Sequence, residues 1–144
     1  MKNTILIVDD FEFNRELLRE LFPDRDILEA ANGSAAIEQF EQHKDEICAV
    51  LTDIMMPKSD GFALLEHFSK HRYTDDVPVF VISADTSTAA NIKAARLGAE
   101  AMITKPFNTT FLQKHIEHIL ELYALRRLVN TEDDIDEEIG DDLM

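Results

Sequence analysis

The chain has 144 residues, enough for one domain with a sizeable core and too few for two ordinary ones. A formal net charge of −15 argues against nucleic-acid binding by this chain alone, which needs a basic footprint, and no run of roughly eighteen apolar residues is present to span a membrane. Met1-Lys2-Asn3-Thr4 lacks the apolar stretch of a signal peptide, and the single cysteine, Cys48, sits in an apolar run and reads as an inert core thiol in a reducing cytoplasm.

Apolar strand-like runs alternate with helical patterns along the chain. Thr4-Ile5-Leu6-Ile7-Val8 is a continuous apolar strand ending at Asp9-Asp10. Phe13, Leu17, Leu18 and Leu21 then recur at helical spacing until Pro23 stops the helix. Asp26-Ile27-Leu28-Glu29 is a weaker strand, Asn32-Gly33 a turn, and Ala36, Ile37 and Phe40 mark the next helical stripe. Cys48-Ala49-Val50-Leu51 leads to Thr52-Asp53, after which Met56-Pro57 breaks the chain and Asp60-Gly61 turns it. Phe62, Leu65 and Phe68 mark a third helix, and Val77-Pro78-Val79-Phe80-Val81-Ile82 is a strand ending at Ser83. Ala89, Ile92 and Ala95 mark a fourth helix with Gly98 as its C-terminal stop. Ala101-Met102-Ile103-Thr104 ends at Lys105-Pro106, and Asn108 can cap a last helix through Leu112, Ile116, Ile119, Leu120 and Tyr123.

This order predicts an α/β fold with a parallel sheet covered by helices on both faces, because parallel strands are buried on both sides and joined by crossover helices. Residues 1–122 form the expected domain, with 123–131 a helical extension of the last helix. Residues 132–144 form an acidic tail expected to be disordered, with eight acids and no base between 132 and 142. Without those eight acids the body still carries −7.

Four strands end in a polar residue where the apolar run stops: Asp9-Asp10, Asp53, Ser83 and Lys105. Parallel strands point the same way, so these ends gather on one edge, where open α/β sheets bind ligands. Three carboxylates crowded together call for a cation. Magnesium suits an all-oxygen site and a phosphoryl group, and no histidine or cysteine stands at these ends to favour zinc or copper. Lys105 and Ser83 offer a point charge and a hydroxyl to phosphate oxygens, and Asp53 a carboxylate nucleophile that can form an aspartyl phosphate. The histidines His43, His67, His71, His115 and His118 fall on helical patterns among polar neighbours and read as solvated.

Together these stretches closely resemble the receiver domain of bacterial response regulators. The match is carried by Ile5–Asp10, Leu51–Pro57, Asp60-Gly61, Val79–Ala84, Leu97-Gly98-Ala99 and Thr104–Phe107, and it covers residues 3–122. The resemblance implies a flavodoxin-like, doubly wound sheet of five strands in the order 2-1-3-4-5. It implies that Asp53 is the phosphoacceptor and that Asp10 and Asp53 are direct magnesium ligands. Asp9 then acts mostly through water, and Met55 lends its backbone carbonyl to the metal. Lys105 contacts the acyl phosphate, Pro106 follows it through a cis bond, and Ser83 moves toward the phosphoryl group on activation. The switch aromatic often found three positions before the lysine is replaced here by Met102.

The resemblance further implies a cytoplasmic signalling switch, not a metabolic enzyme, with a sensor histidine kinase or phosphotransfer protein as donor. Two other readings stand beside it: a magnesium-dependent phosphatase with an aspartyl-phosphate intermediate, and a receiver-like scaffold that takes no phosphate. The first wants a second acid two residues after the nucleophile, where this chain has Met55. Past Leu122, Tyr123, Leu125, Leu128 and Val129 have little core of their own to cover; they serve a phosphorylation-favoured homodimer through the last helix, a signalling helix leading to an output domain, or a frayed helical end.

Overall fold

The structure, a computed structural model, describes residues 2–54, 61–84 and 87–143, the side chains of Gly61 and of 131–143 excepted. The elements are β1 (Thr4–Val8), α1 (Glu12–Glu20), β2 (Asp26–Ala30), α2 (Gly33–His43), β3 (Ile47–Thr52), α3 (Gly61–Lys70), β4 (Val79–Ser83), α4 (Thr88–Arg96), β5 (Ala101–Thr104) and α5 (Thr109–Leu143), with a short 3-10 turn at Tyr73–Asp75. The strands form one parallel sheet in the order β2-β1-β3-β4-β5, a flavodoxin-like fold. Among the described residues no helix is long and apolar enough to cross a membrane.

Side-chain alternation along the buried strands builds two cores. Leu6, Val8, Val50, Val79 and Val81 face α2, α3 and α4, where they meet Phe40, Leu64, Leu65, Phe68 and Ala94. Ile5, Ile7, Ala49, Leu51, Phe80 and Ile82 face α1 and α5, where they meet Leu18, Phe22, Leu112, Ile116 and Leu120. Each fully buried Leu, Ile or Phe contributes about 1.5–3 kcal/mol, so burial on both faces fixes the register of the three central strands.

Local chemistry sets the element ends. Asn32, expected in a turn, is the N-cap of α2: its Oδ1 accepts from Ala35 N–H at 2.8 Å. Asn108 accepts from Phe111 N–H at 2.9 Å and starts α5. Pro78 has no N–H for the ladder, so β4 begins after it at Val79, while the Pro78 carbonyl accepts from Val50 N–H. Gly98, at φ +93°, closes α4 with two backbone bonds, Gly98 N–H to Ala95 O and Ala99 N–H to Ala94 O. A Cβ at Gly98 would lie 3.1 Å from Thr74 Oγ1.

Three sequence expectations are corrected. In α4 the inward residues are Ala90 and Ala94, whereas Ile92 is 47 % exposed and Ala89 and Ala95 face water. The Ser87 cap, whose Oγ accepts from Ala90 N–H, fixes the helix phase, and two alanines four apart let α4 lie close to the sheet. In α1, Phe13 is 64 % exposed, because the inward face runs through Asn14 and Leu18 and position 13 lies about 100° away from it. Tyr123 is buried, with its hydroxyl donating to Glu100 Oε2 at 2.8 Å, so the helix still covers core one residue past Leu122. Helix α5 spans Thr109–Leu143. Met56-Pro57 and Asp60 lie outside the described residues.

Candidate functional site

The carboxyl ends of β1, β3, β4 and β5 lie side by side, and the ladder runs on by single backbone bonds into the residues that follow. Asp9 N–H donates to Ala30 O, Asp53 N–H to Val8 O, and Lys105 N–H to Ser83 O. The strands therefore set where Asp9, Asp53 and Lys105 leave the sheet before any side-chain contact forms.

Asp9 is 2 % exposed and Asp53 8 % exposed, a costly position for two carboxylates without a partner. The partner is Lys105, whose Nζ lies 2.8 Å from Asp53 Oδ2 and 3.3 Å from Asp9 Oδ2. Burial works against the ammonium charge, but the hydrogen bond and charge of Asp53, with those of Asp9, more than offset it and hold the Lys105 pKa above its ordinary value. The Lys105–Pro106 peptide is cis. Ser83 is buried at the end of β4, next to the start of the Lys105 loop.

Other residues, not singled out in the sequence, hold the acids in place. Asp9 Oδ1 accepts from Phe11 N–H at 2.9 Å, and Asp9 Oδ2 accepts from Asn14 Nδ2 at 3.3 Å. Arg15 donates to the Asp9 carbonyl at 2.8 Å and is itself held by Glu29 at 3.2 Å. Thr52 Oγ1 donates to the Asp53 carbonyl at 2.9 Å. The only sequence signal for Asn14 was negative: a polar residue on the inward face of α1.

The structure thus joins Asp9, Asp53 and Lys105 directly and sets Ser83 beside them. Asp10 is exposed and makes no ion pair among the described residues, and no three His, Cys, Asp or Glu side chains there are disposed to hold a metal together. Met55 lies outside the described residues. Met102 is half-buried and packs toward the α2–α3–α4 core. The Asp9 and Asp53 carboxylates already share one cation, the ammonium, and all their donors are hard oxygens; that donor set fits a magnesium ion. A pocket of about 220 Å³ opens beside the acids, lined by Leu17, Leu18, Lys105, Pro106 and Phe107.

Comparison with known proteins places the chain in a family. Residues 5–117 match the response regulator receiver domain family. The chain is 32 % identical over 120 residues to chemotaxis protein CheY-3 of Vibrio cholerae, covering 81 % of this chain and 91 % of that protein. It is 31 % identical over 121 residues to histidine kinase P4 of Formosa agariphila, covering 83 % of this chain and 9 % of the kinase. The chain spans less than half the length of several curated relatives it matches. Among solved structures it superposes on the CheX-CheY-BeF3-Mg2+ complex of Borrelia burgdorferi with a TM-score of 0.73 and 28 % identity, covering 81 % of this chain and 88 % of that one.

Proposed function

The chain belongs to the response regulator receiver domain family, whose members are phosphorylation-dependent switches of two-component signalling, and from that premise we propose that Asp53 accepts a phosphoryl group from a phosphohistidine on a partner protein. The observation that carries the reading is the Lys105 ammonium shared by two buried carboxylates at the strand ends. A carboxylate oxygen of Asp53 attacks phosphorus, the P–N bond of the donor breaks, and the imidazole leaves with its electron pair. Receiver domains generally bind Mg2+ at this site. In this chain Asp10 and Asp53 would hold it directly, Asp9 through water, and Met55 through its carbonyl; when bound it neutralises charge on the transferring group.

Lys105 then has new work. While Asp53 is unphosphorylated, the Lys105 ammonium donates to its carboxylate. Once one carboxylate oxygen is esterified, the charge lies on the phosphoryl oxygens, and Lys105 and the Ser83 hydroxyl follow it there. That displacement on the β4 and β5 ends is the proposed switch, with the thioether of Met102 filling the place where relatives often carry an aromatic ring. The protein catalyses only its own phosphorylation and dephosphorylation.

The donor is a sensor histidine kinase or a phosphotransfer protein, and the setting is the cytoplasm. Leu122, Leu125, Leu128 and Val129 are each about half exposed on α5 and support a homodimer through the last helix. The deciding experiment is intact-protein mass spectrometry after incubation with acetyl phosphate. One added phosphoryl group is expected with Mg2+ and none after chelation. The same addition to Asp53→Ala would sink the assignment.

A further inference from the structure

Helix α5 runs past the core of its own domain. Its inward side ends with Leu120 and Tyr123, and none of residues 124–130 is buried. On another face, roughly 130° around at about 100° per residue, Leu122, Leu125 and Val129 are 46 %, 51 % and 52 % exposed. Their spacing of three and then four residues is that of a coiled-coil seam, with Leu122 and Val129 at a and Leu125 at d. The same spacing runs back through His118 to His115. His115, however, packs edge-on against Phe80 of its own sheet, at 6.4 Å between ring centroids, so among the described residues the unpartnered stripe opens after it. A helical stretch with no buried face is marginal in water, and a stripe of this spacing is covered by a like helix.

The flanks of the seam say how that helix lies. Glu121 stands at g and Arg126 at e, and both are exposed. In a parallel pair, g of one helix faces e of the other five positions on, so Glu121 meets Arg126 of the second copy and the two-fold axis repeats the pair. In an antiparallel pair g faces g and e faces e, and these two residues do not meet. The Arg126 guanidinium lies over the Tyr123 ring at 4.6 Å, which uses its face and leaves its edge donors for a carboxylate.

We propose that α5 pairs in parallel with α5 of a second copy, along a seam of Leu122, Leu125 and Val129 flanked by two Glu121–Arg126 pairs between copies. The proposal rests on the homodimer reading above and gives it a direction and a register. Parallel order also brings the two 132–142 segments out on the same side, each with eight acids and no base. Their mutual repulsion opposes the dimer at low ionic strength, and salt screens it.

The test uses full-length chains, with and without beryllofluoride and Mg2+. Single cysteines read the direction, with the wild type, whose Cys48 is buried, as the blank. In a parallel pair each seam position faces itself, so Leu122→Cys and Val129→Cys should each cross-link to its own kind when an oxidant is added. Ala124→Cys, exposed on another face, should not. No antiparallel pair can join both seam positions to themselves. Molar mass by light scattering over a concentration series gives the Kd. Glu121→Arg and Arg126→Glu should each weaken the dimer about tenfold, and the chain carrying both changes should regain wild-type affinity, which no folding defect can imitate. Raising salt from about 0.05 M to about 0.5 M should tighten the wild-type dimer several-fold. A dimer that cross-links at neither seam position and is indifferent to both charge reversals would overturn the parallel seam and leave the homodimer reading standing. A wild type that stays monomeric at every concentration, with and without beryllofluoride, would overturn both.

Discussion

The two ends of one sheet handle charge in opposite ways. At the carboxyl end, Asp9 and Asp53 are almost fully buried and share the Lys105 ammonium, whose side chain is 23 % exposed. At the amino end, Arg25 and Glu117 form a matched, two-pronged pair with side chains 19 % and 41 % exposed, and Tyr123 hydrogen-bonds Glu100 at the rim. Among the described residues the first arrangement sets two buried carboxylates on one ammonium, so adding a cation or a phosphoryl group must redistribute its charge. The Arg25–Glu117 pair is matched and partly wet, so it holds the fold without being poised to change. The proposed function sits at the buried carboxylates, not at the more exposed ion pair.

Removing Lys105 should sharpen that contrast most. Lys105→Ala leaves two buried carboxylates facing one another, and the cost at neutral pH is expected to be roughly 2 kcal/mol, below the full penalty for breaking a buried pair because the site is partly open. The raised Lys105 pKa sets the pH window. The stabilisation is present below the ordinary lysine value of 10.5 and is lost only as pH climbs above it, so the gap between wild type and variant should hold through neutrality and close at alkaline pH. Urea unfolding against pH measures both. Mg2+ should still bind the variant, and as tightly or more so, since a competing positive charge has gone. A variant as stable as wild type that also loses Mg2+ would break the comparison, because Lys105 would then be holding the metal site and not the acids.

Arg25→Ala tests the other end. Here the expected loss is about 1 kcal/mol, within the range for a well-aligned but solvent-accessible pair, with Mg2+ affinity and phosphoryl uptake unchanged. Thermal unfolding and the acetyl phosphate reaction give the two readouts. A loss as large as that of Lys105→Ala, or any change in uptake, would mean that the two ends are coupled through the sheet.

The contrast also explains what the sequence could and could not reveal. Strand ends are legible because an apolar run stops at a polar residue, and parallel topology then brings Asp9, Asp53, Ser83 and Lys105 to one edge. Helix phase is less legible when the buried residues are small. In α4 the stripe through Ile92 outweighed Ala90 and Ala94, although the Ser87 cap decides which of them faces the sheet. Supporting contacts such as Asn14 to Asp9 and Arg15 to the Asp9 carbonyl depend on where the α1 axis lies, which no local pattern states. The pairing of Arg25 with Glu117 spans 92 positions and leaves no mark in either neighbourhood.

The smallest expected effect concerns Tyr123, where the amino end meets α5. Its hydroxyl donates to Glu100, and burial together with that bond pushes its pKa up to about 12 from an ordinary 10. The folded state therefore favours the neutral phenol. Its contribution is complete below pH 10, the unfolded value, and fades as pH rises toward 12. Tyr123→Phe removes the donor but keeps the ring in the core, and Glu100 is exposed and can turn to water. The expected cost at neutral pH is about 0.5–1 kcal/mol, that of one ordinary hydrogen bond. Between pH 10 and 12 the wild type should lose stability faster than the variant, so the two unfolding curves converge. A difference that stays constant across that range would show that the phenol's bond to Glu100 contributes nothing and that Tyr123 serves the domain through its ring alone. The end of the domain at α5 would then be set by packing, and the contrast between a charged functional edge and a quiet structural one would be wider still.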